Sequence, residues 1–239
     1  MSISVLYYKE MKMCGRFSLN QIPDSILEFL GFGLPESFQE RFNIAPAENS
    51  WVALQEKDRK PALQELYWGL VPFWAKEKSI GMRAINARAE SVAEKPMFRE
   101  AYQKRRCLVP ASGFYEWRKN GKEKIPYYFS PKNDREPLVF AGLWDDWNEK
   151  NENIRSFTII TTAANDFMKP IHDRMPLILK PEFWRKWITP DAGLSEIDKI
   201  MEQPVGNDVL QNWEVSSYVN NVPHEGAACI EPVDLFRNI

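Results

Sequence analysis

Between Cys107 and Thr162 the chain strings together short β-branched or aromatic runs separated by turn residues, and this succession limits the possible folds more than any other feature. The runs are Cys107-Leu108-Val109, Phe114-Tyr115-Glu116-Trp117, Tyr127-Tyr128-Phe129, Leu138-Val139-Phe140 and Phe157 to Thr162. Such side chains suit a pleated, half-buried surface, so the runs read as strands. Asn120-Gly121 marks one hairpin turn, and Pro131 with Asn133-Asp134 marks another.

Upstream, Trp51–Gln55 and Leu63–Val71 read as further strands, and Asn43-Ile44-Ala45-Pro46 as a turn or loop. Pro23-Asp24-Ser25 followed by Ile26, Leu27, Phe29 and Leu30 reads as a short amphipathic helix ending at Gly31-Phe32-Gly33. Pro96 through Arg106 predicts a second helix, with proline in its first turn and the basic triplet Lys104-Arg105-Arg106 at its C-terminus. Pro181–Trp187 and Leu194–Met201 predict two more, and Trp213–Tyr218 a last strand. Many consecutive strands between separate helices predict an α+β fold: a largely antiparallel twisted sheet or partly closed barrel with flanking helices. At 239 residues the chain fits one large domain, placed at residues 13–239, with residues 1–12 as an extension.

No run of about 18 apolar residues is present, so no transmembrane helix is expected. The apolar patch Ile3–Tyr8 is short and lacks a basic leader, unlike a signal peptide. Cys14, Cys107 and Cys229 are an odd number at unrelated spacings, which points to a reducing compartment and a cytoplasmic protein without disulfides. The net charge of −2 hides an asymmetry. From Trp68 to Arg106 nine basic residues face four acids, whereas from Pro190 onward nine acids face two basic residues. A polyanion would be held by the first region and repelled by the second. Several of the nine tryptophans lie among the basic residues, as suits single-stranded nucleic acid; core packing is the alternative for each.

Met13-Cys14-Gly15-Arg16-Phe17 is the segment with the most chemical content. If Met13 is removed, Cys14 carries a thiol and a free α-amine on neighbouring carbons. The amine titrates at about 7.7–8.0, so part of it is unprotonated at neutral pH. Amine and thiol together capture an aldehyde as a five-membered thiazolidine. The dipeptide alone favours the other reading, a buried apolar cysteine, and only the rest of the chain tips the balance.

Other candidates are few. His172 lies in Lys169-Pro170-Ile171-His172-Asp173-Arg174-Met175-Pro176, and reads either as a proton shuttle or as a surface histidine. His224, beside Pro223 and Glu225, reads as a surface residue. Glu116 sits among aromatics, where burial would raise its pKa for acid–base work; strand alternation alone would turn it to solvent. Asn86 and Arg88 stand two apart and would share a face of an extended segment, the amide suited to a sugar oxygen and the guanidinium to a phosphate. Metal-ligand spacing, phosphate loops and dinucleotide fingerprints are lacking, so no cofactor and no metal are expected.

Taken together, eight ordered motifs resemble the SRAP family, the SOS-response-associated peptidases or abasic-site-processing proteins. They are the Met13–Phe17 segment, Asn43–Pro46, Trp68-Gly69-Leu70-Val71-Pro72, Asn86-Ala87-Arg88-Ala89-Glu90, Cys107–Pro110, Gly113–Trp117, Phe140-Ala141-Gly142-Leu143-Trp144 and His172–Pro176. The resemblance implies a protein that binds single-stranded DNA and captures abasic sites covalently through a thiazolidine. By motif, Cys14 matches the nucleophile, Asn86 the sugar-positioning amide, Glu116 the acid–base carboxylate and His172 the histidine of proton transfer and release. Arg16, Arg88 and Arg174 are expected at phosphates, Trp117 and Pro46 against flanking bases, and Thr161 or Thr162 in the site. The resemblance further implies self-cleavage before the cysteine, lyase activity and a monomer.

One departure stands out: the family's cysteine follows the initiator methionine, whereas here thirteen residues precede it. Either Met11 or Met13 is the working start, or the extension is removed. Two other classes compete: a cysteine peptidase or amidase acting on other proteins through Cys14, His172 and Glu116, and a non-covalent single-strand binder.

Overall fold

The computed structural model describes residues 14–133, 136–149 and 151–233. The extension 1–12, Met13 and the Asp134 half of the second turn lie outside them. Two sheets dominate. The first runs in the order β12-β8-β7-β1-β2: β1 Phe17–Leu19, β2 Arg41–Ile44, β7 Gly113–Asn120, β8 Glu123–Pro131 and β12 Leu210–Glu214. The second contains β3 Asn49–Leu54, β4 Ala62–Trp68, β5 Asn86–Arg88, β6 Arg106–Ala111, β9 Leu138–Glu149, β10 Glu152–Ala163 and β11 Arg174–Pro176. In it, β10 pairs with β4 at one end of the path and with β9 at the other, so β10-β4-β3-β6-β9 closes on itself. Closure removes the unpaired edges of these five strands. The predicted α+β architecture is therefore present, with the barrel closed rather than partly closed and antiparallel except where β4 and β5 run parallel to β10.

Among the described residues four helices flank the sheets: α1 Asp24–Leu30, α2 Arg99–Lys104, α3 Pro181–Ile188 and α4 Leu194–Met201. Their sequence-predicted positions hold except at α2, which stops before Arg106. The backbone of Arg106 pairs with Leu143 instead, and its buried side chain turns inward. Its guanidinium donates to the carbonyls of Tyr102 (2.6 Å), Gln103 (2.8 Å), Trp187 (2.8 Å) and Thr189 (2.6 Å), satisfying the C-termini of α2 and α3 together.

Other boundaries move for local reasons. Asn43 and Ile44 end β2 rather than forming a loop, because Ile44 pairs with Phe17. β4 ends at Trp68, not Val71, since Gly69 adopts φ +130° and its backbone meets that of Gly81. The last strand spans Leu210–Glu214; Ser216 then accepts a hydrogen bond from the Tyr218 N–H (3.2 Å) and opens a 3-10 turn, Ser217–Asn220. Gly113 makes the corner where β6 passes into β7, and a Cβ there would lie 2.2 Å from the Tyr128 ring.

One continuous core joins barrel and sheet through Phe17, Trp68, Phe114, Phe140 and Phe157. Phe17 meets the edges of Trp68 (5.0 Å) and Phe140 (6.3 Å), which fixes the strand immediately after Cys14. Most tryptophans serve this packing: Trp68, Trp144, Trp147, Trp184 and Trp187 are buried and unavailable for base stacking.

Candidate active site at the amino end of β1

Cys14 lies three residues before the start of β1, buried in the seam between the two sheets. Three of its atoms are held. Asn86 Nδ2 donates to its carbonyl at 2.9 Å, the Arg16 N–H points at its sulfur, and its own backbone N–H donates to Glu116. Two of these partners, Asn86 and Glu116, arrive on separate strands. Tyr115 N–H donates to the Arg16 carbonyl (3.0 Å), clipping β7 against β1 and bringing Glu116 alongside Cys14. β5 pairs with β10, Ile159 opposite Asn86, and so delivers the amide from the barrel side.

Glu116 is 3% exposed, on the inner face of β7, not the solvent face that alternation alone allowed. Burial raises its pKa from 4.5 to about 8, against the opposing N–H groups of Trp117 and Cys14. A carboxyl poised there exchanges protons at neutral pH. Its Oε1 and the Oδ1 of Asn86 are buried without a hydrogen-bond partner among the described residues. Two orphaned acceptors beside one cysteine leave room for an incoming donor. Burial and the charge of Glu116 together push the Cys14 thiol well up, so it rests protonated.

His172 joins from the loop before β11. Its Nε2 stands 4.0 Å from Glu116 Oε2. Its Nδ1 is clamped by the Arg174 N–H at 3.1 Å and lies 3.3 Å from Asp173 Oδ1. The structure thus gathers Cys14, Asn86, Glu116 and His172, four residues scattered over the sequence. Among the described residues no group of three or more His, Cys, Asp or Glu side chains is arranged as metal ligands would be.

The predicted phosphate and base contacts are placed less uniformly. Arg88 is exposed on β5, opposite Thr161 of β10. Arg174 is engaged: its guanidinium grips both oxygens of Glu90, the second at 2.9 Å, and donates to the Thr161 carbonyl at 2.6 Å. Arg174 in turn holds the Glu90 carboxyl below its usual range. Thr161 is buried and also meets Arg174 through Oγ1 at 3.4 Å; Thr162, next along the strand, points to the other face and is half-buried. Arg16 is 4% exposed, bonded to Asn43 Oδ1 (2.6 Å) and the Val219 carbonyl (2.9 Å), with its guanidinium 5.9 Å from the half-buried Trp117 ring. Pro46 is buried in the turn after β2. There Ala47, at φ +70°, is held by its N–H to the Trp68 carbonyl (2.9 Å), a left-handed conformation rare for a residue with a Cβ.

Sequence reasoning passed over Phe73 and Trp74, which are 45% and 48% exposed among basic residues. Their loop is fixed: the Phe73 N–H donates to buried Asp145 (3.1 Å), and Arg105 pairs with Asp145 (3.1 Å) while facing the Phe73 ring. The signal was available in the pair of aromatics followed by Lys76 and Lys78, but tryptophans that pack and tryptophans that wait for a ligand read alike in sequence. His224 is structural: it stacks on Tyr218 at 3.9 Å.

A closed barrel joined to a second sheet, with a cysteine fixed at the seam beside a buried carboxyl, defines a distinctive class, and comparison with known proteins agrees. Residues 13–222 match the SOS response associated peptidase (SRAP) family, and the chain belongs to it. It is 38% identical over 224 residues to the abasic site processing protein YoqW of Bacillus subtilis, covering 92% of this chain and 99% of that one. It is 32% identical to the abasic site processing protein YedK of Escherichia coli, covering 92% and 100%. A crystal structure of a Bacteroides thetaiotaomicron protein superposes with a TM-score of 0.81 at 27% identity, covering 92% and 99%. Handling of abasic sites in DNA is therefore the activity this family membership supports. Among the described residues no helix is long and apolar enough to cross a membrane.

Proposed function

We propose that this protein binds single-stranded DNA and captures abasic sites as a thiazolidine on Cys14, acting inside the cell as a monomer whose working unit is residues 13–239. One observation carries the reading: the nitrogen of Cys14 faces a buried carboxyl of pKa about 8, with the thiol on the neighbouring carbon and Asn86 Oδ1 without a partner among the described residues. In the ring-opened sugar C1′ is an aldehyde. The Cys14 amine adds to it, the carbinolamine loses its hydroxyl as water with a proton from Glu116, and an imine forms. The sulfur then adds to the same carbon, and its proton passes to the nitrogen. One water leaves and nothing is oxidised. Asn86 Oδ1 accepts from a sugar hydroxyl, and His172 relays protons to and from Glu116.

The same geometry suits exposure of the amine. Hydrolysis of the Met13–Cys14 bond requires a proton on the departing nitrogen, and Glu116 is the group beside it. Stopped at the imine, the adduct acidifies the C2′ proton and permits loss of the 3′ phosphate, the lyase route; closure by sulfur ends it. Arg88 supplies an accessible cation for phosphate, Arg16 and Arg174 act from within, and Trp117, Phe73 and Trp74 offer surfaces to the bases, while buried Pro46 offers none. A peptidase acting on other proteins fits less well, because the Cys14 thiol rests protonated in an apolar seam rather than as an activated thiolate.

The test is incubation with a single-stranded oligonucleotide carrying one abasic site, followed by boiling in SDS, denaturing electrophoresis and intact mass. A surviving adduct with the summed mass less one water supports the reading. Binding without an SDS-stable adduct sinks it in favour of non-covalent binding.

A further inference from the structure

The segment after β12 carries an aromatic pair that the proposed chemistry leaves unused. Tyr218 is 39% exposed, yet its ring lies nearly flat on the imidazole of His224, with centroids 3.9 Å apart and planes 14° from parallel. That imidazole is locked from both sides: its Nδ1 is 2.7 Å from the Tyr218 carbonyl, which can only accept, and its Nε2 is 3.0 Å from Asn221 Nδ2, which can only donate. With these partners Nδ1 donates and Nε2 accepts, which fixes the plane of the ring. Holding a solvent-exposed tyrosine costs rotamer freedom, and the core gains nothing from it. An exposed aromatic ring backed on one face by another ring is a preformed stacking surface.

This surface is tied to the site. Arg16 donates to the Val219 carbonyl (2.9 Å), Trp117 Nε1 to Asn220 Oδ1 (2.7 Å), and Asn43 Nδ2 to the carbonyls of Val219 (3.3 Å) and His224 (2.8 Å). Tyr218 thus directly precedes the residue on which Arg16, two positions from Cys14, is anchored. The pair offers a ring face and no cation, which suits a base rather than a phosphate, and the nearby Glu225 is neutralised by Arg41 (2.7 Å).

We infer that the Tyr218–His224 pair is a stacking platform for a nucleobase of the lesion-bearing strand, with purines held better than pyrimidines because they cover more of the ring. The inference rests on the DNA-capture reading and adds a binding subsite to it. Oligonucleotides with one abasic site provide the test, each flanking nucleotide in turn replaced by a baseless tetrahydrofuran spacer. Binding by anisotropy and SDS-stable adduct are measured on the same samples, for the wild type, Tyr218→Ala and Tyr218→Phe. Base–aromatic stacking predicts that Tyr218→Ala weakens binding roughly 5- to 100-fold, while Tyr218→Phe stays near the wild type. At one spacer position the wild type should lose that same factor and Tyr218→Ala should lose nothing more. Equal binding of every oligonucleotide by wild type and Tyr218→Ala overturns the platform, as does a loss that is the same at every spacer position. Adduct formation by the wild type is scored separately, so its absence overturns the capture reading while the spacer series still decides the platform.

Discussion

Nε2 of His172 stands 4.0 Å from Oε2 of Glu116, too far for a direct hydrogen bond and close enough for one to form with a small shift or through a water. In the proposed relay Glu116, beside the Cys14 nitrogen, takes the inner place and the half-buried His172 the outer one.

Separating binding from chemistry follows from that order. Glu116→Gln keeps the shape and should slow crosslinking by about 10²- to 10⁴-fold, the usual worth of acid–base assistance, with affinity for intact single strands nearly unchanged. His172→Ala should slow adduct reversal most. Single-turnover crosslinking and release rates check both, and wild-type rates in both variants would remove the catalytic assignments.

Glu116 should also make stability depend on pH. Its folded pKa of about 8 lies above 4.5, so between those values the folded state binds more protons than the unfolded one. Its burial therefore costs little below about pH 4.5, and stability falls as pH rises towards 8. With ~1.4 kcal/mol at stake per pH unit, Glu116→Gln should gain relative to the wild type by a few kcal/mol across that window. Denaturant melts at pH 5 and pH 8 measure it; a constant difference between the two proteins would show that Glu116 is not perturbed.

The extension gives the sharpest chemical prediction. A peptide bond from Met13 turns the Cys14 amine into a non-nucleophilic amide, so the active protein should begin at Cys14. Cys14→Ala should lose crosslinking entirely, and Glu116→Ala made from Met1 should keep residues 1–13 if the site cleaves itself. Intact mass decides: full activity with residues 1–13 attached would leave only a thiol or lysine adduct.

The arginines should differ. Arg88 is exposed, whereas Arg174 is already neutralised by Glu90. Arg88→Glu should weaken single-strand binding across sequences and lower the salt slope by about 1. Glu90→Gln should instead tighten binding by releasing the positive charge of Arg174. Salt titrations of affinity test both, and affinity independent of salt would count against nucleic-acid binding altogether.

What the linear chain carried was local and chemical. Turn residues between β-branched runs predicted the strands, since hairpin geometry depends on neighbours in sequence, and Asn120-Gly121 does join β7 to β8. The cysteine after Met13 and the motif residues Asn86, Glu116 and His172 were visible because amine, thiol, amide, carboxyl and imidazole chemistry belongs to the residue type. Burial was not visible. Alternation alone would turn Glu116 to solvent, and only the docking of β7 on β1 turned it inward and raised its pKa. Arg106 looked like a solvated helix end and became a buried cap for two helices, because β6 claimed its backbone. Arg174 looked like a free cation until β11 set it opposite Glu90. Residue chemistry and hairpin pairing are decided within a few positions of sequence. Solvation, charge pairing and the meeting of Cys14 with Asn86, Glu116 and His172 depend on contacts between strands distant in the chain, and these exist only once the barrel has closed.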